Sequence, residues 1–89
     1  MADAKAIKKR ISEIAQRRNS VTLSEIEWVV NQLQEYCSIA IRPARHGKLF
    51  RVNQQRFMIN FHNPGSKHVK PYSVDDFIDA MIELGWYED

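Results

Sequence analysis

The stretch from Cys37 to Phe61 reads CSIAIRPARHGKLFRVNQQRFMINF, and its alternation decides the fold. In CSIAIRP, Cys37, Ile39 and Ile41 fall on one side, and Ser38, Ala40 and Arg42 on the other. KLFRV pairs Phe50 with Val52, and RFMINF groups Phe57, Ile59 and Phe61. Period two over three short runs predicts three β-strands. Asn53-Gln54-Gln55 joins the second run to the third, which predicts an antiparallel hairpin. Pro43, which lacks an N–H, is expected to end the first strand. Each strand has one apolar and one mixed face, as in a sheet covered by helices on one side. The mixed face carries Arg42, Arg51 and Arg56, with Leu49 and Met58 among them.

Working outward, helices flank the strands. Ala4, Ile7, Ile11, Ile14 and Ala15 recur at helical spacing, which predicts a basic amphipathic helix over 3–18 with Asp3 as its N-cap. NSVTLSEIEWVV opens a second helix, from about Leu23 to Tyr36. Thr22 and Glu25 have the spacing of a capping box, and Val21 and Ile26 that of a hydrophobic staple. Trp28 is expected at the border of its buried face, formed by Leu23, Ile26, Val29, Val30 and Leu33. YSVDDFIDAMIELGWYE repeats this grammar with Ser73 as cap, Asp76 at the third helical position, and Tyr72 with Phe77 as staple. Asp75 and Asp76 would then face the positive end of the helix dipole. Phe77, Ala80, Met81 and Leu84 form the core stripe, and Gly85 suits the C-terminal cap. The expected fold is α+β, in the order α-α-β-β-β-α, with a three-stranded antiparallel meander against the helices. Residues 1–20 would form the N-terminal helix and 21–89 the main domain.

With 89 residues, 44% hydrophobic and 27% charged, the chain has the composition of one globular domain rather than a disordered segment. Apolar runs are far shorter than the ~20 residues that span a bilayer. The charged start MADAKAIKKR has no signal core, so no export and a cytoplasmic location are expected. Cys37, the single cysteine, cannot form an internal disulfide and reads as a buried thiol.

The net charge of +2 conceals a division. Residues 1–71 hold all thirteen Lys and Arg against five acids, a balance of +8, while 72–89 hold six acids and no base, a balance of −6. Residues 36–74 contain no acid at all. A stretch of one sign this long suggests an anionic partner. The bland alternative is that the acidic last helix folds over the basic region and neutralises it.

The segment INFHNPGSKHVKPYSVDDFIDAM resembles the C-terminal half of the HicA toxin family, small mRNA interferases with a double-stranded-RNA-binding-domain-like fold. Gly65-Ser66-Lys67 and Lys70-Pro71-Tyr72 carry the likeness, and the order of elements extends it over nearly the whole chain. The resemblance implies RNA cleavage without metal or other cofactor by a histidine near the start of the second strand, and a HicB-like antitoxin partner. Anchored on Phe50, the family's histidine position falls on Gly47, with His46 before it and Lys48 after it. Within a strand, a one-residue shift turns a side chain to the other face. In a preceding loop, glycine can absorb the shift.

Metal-free cleavage needs a base for the 2′-hydroxyl, an acid for the leaving 5′-oxygen and positive charge on the phosphate. Histidine titrates near neutrality, and lysine and arginine suit phosphate. His46 is the leading acid/base candidate and Lys48 its electrostatic partner. Arg42, Arg45, Arg51, Arg56, Lys67, His68 and Lys70 are candidate RNA or anion contacts, and His62 is a weaker candidate. Lys67, Lys70 and amides near Ser73 could hold an anion at the last helix. No His or Cys spacing resembles a metal-ligand motif, and no glycine-rich phosphate loop exists. A non-catalytic RNA-binding module and a protein-interaction module are the other readings, the latter using the mixed sheet face.

Overall fold

The structure, a computed structural model, describes residues 3–61 and 67–88. It is α+β in the expected order: α1 (Ala4–Gln16), a 3₁₀ turn (Arg18–Ser20), α2 (Leu23–Leu33), β1 (Ile39–Ala44), β2 (Gly47–Val52), β3 (Gln55–Asn60) and α3 (Pro71–Glu83). The three strands form an antiparallel meander, β1-β2-β3.

The alternation sorts β2 and β3 as period two requires, whereas in β1, at the sheet edge, Ile39 is only half-buried and Ile41 is exposed. Phe50, Val52, Phe57 and Ile59 are buried beneath the helices. Phe50 stacks on Phe57 at 5.4 Å, and Phe57 meets Phe77 of α3 edge-on at 5.6 Å. Burying each such side chain contributes about 1.5–3 kcal/mol. The helices close the core from one side with Ile7, Ile11 and Ile14 of α1, Ile26, Val29, Val30 and Leu33 of α2, and Val74, Phe77, Ile78 and Met81 of α3. A radius of gyration of 11.9 Å matches the ~12 Å expected for a folded chain of this length, because α1 lies against the rest.

Local signals placed several ends correctly. The Asp3 carboxylate accepts from the Ala6 amide at 2.9 Å. Thr22 and Glu25 form the capping box, with Val21 and Ile26 both buried beside it. Gly85 has φ +82°; its amide donates to Ile82 and that of Trp86 to Met81, the pattern of a Schellman cap. Asn53, at φ 54°, turns the β2–β3 hairpin. Asparagine tolerates this left-handed conformation, and the Asn53 side chain also accepts from Ser38 N at 2.8 Å.

Other expectations are corrected. Pro43 does not end β1, which runs on to Ala44. Asn53 N donates to Ser38 O, so even-numbered residues of β1 bond to β2 and the Pro43 nitrogen faces the free edge. An edge strand tolerates proline there. α2 ends at Leu33 and residues 34–36 form a turn, in which the Tyr36 and Cys37 amides both reach Leu33 O. α3 begins at Pro71 with Lys70 as N-cap, not at Ser73. Proline at the first position forgoes only an N–H that a helix leaves unpaired anyway. Ser73 is instead wholly buried, and its hydroxyl accepts from the Asn60 amide at 3.0 Å. Tyr72 is half exposed and is no staple, and Asp75 and Asp76 lie beyond the first turn.

Candidate nucleic-acid interface

One end of the sheet collects most of the predicted site. Arg45 and His46 form the exposed turn between β1 and β2. The His46 carbonyl accepts from Phe61 N at 2.8 Å, and Phe61 bridges to Val69. Lys70 N donates to Asn60 O at 2.8 Å, and Val69 N to Val21 O at 2.9 Å. Leu23 N donates to Lys67 O at 3.4 Å, and His68 bridges to Thr22. These bonds lash the His46 turn, the end of β3, residues 67–70 and the start of α2 together. Lys67 and His68 are exposed there, and the Lys70 ammonium lies 5.5 Å from the centre of the Tyr72 ring. The Tyr72 hydroxyl accepts from Asn60 Nδ2 at 3.1 Å.

Two expected contributions to this end are altered. Lys48 belongs to the helix-facing row Pro43–Lys48–Ile59 and donates to Glu27 of α2 at 2.9 Å. It therefore lies on the opposite side of the sheet from Arg42, Arg51 and Arg56. The amides of Ser73 and Val74 are not free for an anion, because both donate to Lys70 O. His62, Pro64 and Gly65 lie outside the described residues.

Gly47 marks a close approach of backbones. A Cβ there would fall on the Ile59 carbonyl oxygen and lie 2.9 Å from Asn60 Cα. A side chain at 47 is thus incompatible with the β2–β3 pairing, and the histidine of this end sits one residue earlier, in the turn.

The second group of cations lies on the open face of the sheet. The registers place Ala40–Arg51–Arg56 in one row and Arg42–Leu49–Met58 in the next. Arg42, Leu49, Arg51 and Arg56 line a depression of about 280 Å³. Among the described residues none of these arginines has an ion pair. Met58 is 41% exposed beside them. α3 packs on the other face of the sheet, and its acids come near this one only at Arg56, which lines the same groove as Asp76, Asp79 and Glu83. Asp75 pairs with Arg18 at 2.7 Å, while Asp76, Asp79 and Glu83 line a groove beside β3.

Several partners had no signal in the sequence. Glu27 is 21 positions from Lys48, and Arg17 pairs with Glu25, the capping-box acid. Burial alone would raise the Glu25 pKa, but hydrogen bonds from Arg17 and Thr22 and the Arg17 charge hold it below the usual carboxylate range. Arg10 lies 4.9 Å from the Trp28 ring centre, and Lys8 lies 5.9 Å from that of Trp86, so part of the basic α1 face rests on aromatics.

Among the described residues, no three His, Cys, Asp or Glu side chains group to hold a metal ion, and no helix is long and apolar enough to cross a membrane. Comparisons with protein-family models, curated proteins and solved structures find no match to this chain.

Proposed function

We propose that this protein binds RNA in the manner of a HicA-like domain, holding the phosphate backbone between the His46 end and the arginine face. The observation that carries this reading is the backbone lashing of the His46 turn to residues 67–70, which assembles Arg45, His46, Lys67, His68 and Lys70 at one end. Arg42 lies two residues from that end in the register and leads onto Arg51 and Arg56. Phosphates are the ligand that such a gathering of cations suits.

The finer form of the proposal is metal-independent cleavage, the activity of an mRNA interferase toxin. His46 would take the 2′-hydroxyl proton, and protonated His46 or His68 would return one to the leaving oxygen. Lys67 and Lys70 would offset the charge that grows on the phosphate. Lys48 takes part only by exchanging Glu27 for that phosphate. The exposure of His46 supports this form. The absence of any space for a side chain at 47 means that the role rests on the turn, not on the strand.

The test uses purified full-length protein and a labelled single-stranded RNA in EDTA. Affinity should fall steeply with salt, with log K declining by roughly 0.7 per phosphate contact per log unit. A flat response would remove the RNA reading. RNA cut by the wild type and intact with His46→Ala would establish cleavage; salt-dependent binding without cutting would leave a binding module. Growth arrest on induction, lost in His46→Ala, is the corresponding result in cells.

A protein partner on the open sheet face is the second reading. Leu49 and the exposed Met58 among the arginines favour it, as does the antitoxin implied by the family resemblance.

A further inference from the structure

We infer that the open edge of β3 is a docking site for an extended segment of a protein partner bearing lysine or arginine at alternate positions. This groove adjoins the arginine face, with which it shares Leu49 and Arg56, but its acidic wall belongs to α3, and the inference does not rest on the RNA reading.

The direction of the backbone groups follows from the ends of the strand. Phe61 N points into the sheet, to His46 O, whereas Asn60 N and O point outward, to Ser73 Oγ and Lys70 N. Alternation along a strand therefore turns the N–H and C=O of Met58 and Arg56 outward as well. α3 closes the edge at Asn60 and leaves it open at 56 and 58, where no backbone partner exists among the described residues. Unpaired edge groups are a template for another strand.

A groove of about 370 Å³ runs along this edge, between β3 and α3. Its helix side carries Asp76, Asp79 and Glu83, spaced to share one face of α3. Among the described residues these three have no ion pair, whereas Glu13, Glu25, Glu27 and Asp75 each have one. The sheet side carries Arg56 and the exposed Met58, so a basic side chain is favoured only toward the helix. A strand laid in this groove would point alternate side chains at the acids and the rest toward Met58. Charge complementarity thus selects basic residues for the first set and apolar ones for the second. A second copy pairing β3 with β3 is disfavoured, because it would bring two acidic α3 faces together.

The probe is the peptide acetyl-KVKVKVK-amide, titrated into the full-length protein with amide shifts followed by NMR. Shifts should concentrate at residues 56–58 and along the acidic face of α3. The triple variant Asp76→Asn, Asp79→Asn, Glu83→Gln should bind about tenfold more weakly, a loss of the size three exposed ion pairs allow. Acetyl-KVKPKVK-amide keeps the charge but breaks the ladder, and it should also bind more weakly. No binding, shifts centred elsewhere, equal affinity for the proline peptide, or full affinity in the triple variant would each overturn the proposal. RNA affinity of the triple variant should be kept or rise, since only negative charge is removed. Its loss would mean that the three acids serve RNA binding rather than a basic partner, and would overturn the proposal too.

Discussion

Arg51 and Arg56 stand directly opposite each other across the β2–β3 hairpin, on the open face of the sheet. The Phe61–His46 bond makes this a pair whose backbones do not bond each other, the closer of the two antiparallel spacings. Like charges placed so are destabilising. Neither arginine has a carboxylate partner among the described residues; Arg51 reaches only the Asn53 carbonyl, at 3.4 Å. Arg56→Gln should therefore raise stability, by about 0.5 kcal/mol in urea titration. It should also lower RNA affinity and reduce the salt slope by about 0.7. Unchanged RNA binding would take the sheet face out of the interface.

Gly47→Ala should cost about 3 kcal/mol, because the added methyl meets β3 backbone rather than a side chain that can turn away. Gly47→His should lose stability at least as severely and gain no cleavage. Thermal melts of the two variants check the first point. A Gly47→Ala chain as stable as wild type would show that the strands can separate at this point without cost.

Ser73→Ala leaves the part-buried Asn60 amide without its acceptor. The expected loss is about 1 kcal/mol, that of one hydrogen bond. Hydrogen exchange at the Asn60 amide should speed up more than that at Phe50, in the middle of the sheet. Equal protection in the variant would mean that α3 does not hold the end of β3 through this hydroxyl.

Glu25 supplies an acid-sensitive element. Its folded pKa is lowered despite burial, so its contribution is present above the unfolded carboxylate pKa of about 4.3 and is lost as pH falls through the lower folded value. Glu25→Gln keeps an oxygen for the capping box but loses the Arg17 ion pair, so it should cost up to about 1 kcal/mol at pH 7, and the difference from wild type should shrink below pH 4. A difference that stayed constant from pH 7 to pH 3 would remove the ion pair with Arg17 from the explanation.

Much of the fold was legible because its signals are local. Alternation over 37–61 depends only on which side chains water rejects, and Asp3, Thr22 with Glu25, and Gly85 act on backbone within four residues. The errors came where a distant element supplied the partner. Ser73 has the look of a cap, but β3 offers it an amide, and Pro71 starts the helix earlier. Pro43 has the look of a strand end, but its place on an edge makes the missing N–H harmless. Lys48 has the look of a site residue, but Glu27 of α2 lies across from it.

The sequence by itself determined the elements, the apolar face of each and the division of charge along the chain, since these follow from side-chain type and spacing. Tertiary structure alone decided which charges met. It tied residues 67–70 to the His46 turn through Phe61, paired Lys48 with Glu27, and left Arg51 facing Arg56 with no ion pair among the described residues. It also set α3 on the far face of the sheet, where its acids line a groove at the β3 edge that only Arg56 of the open-face arginines shares. Ion pairs and backbone closures join residues far apart in the chain, and their geometry exists only once the core has placed the strands and helices.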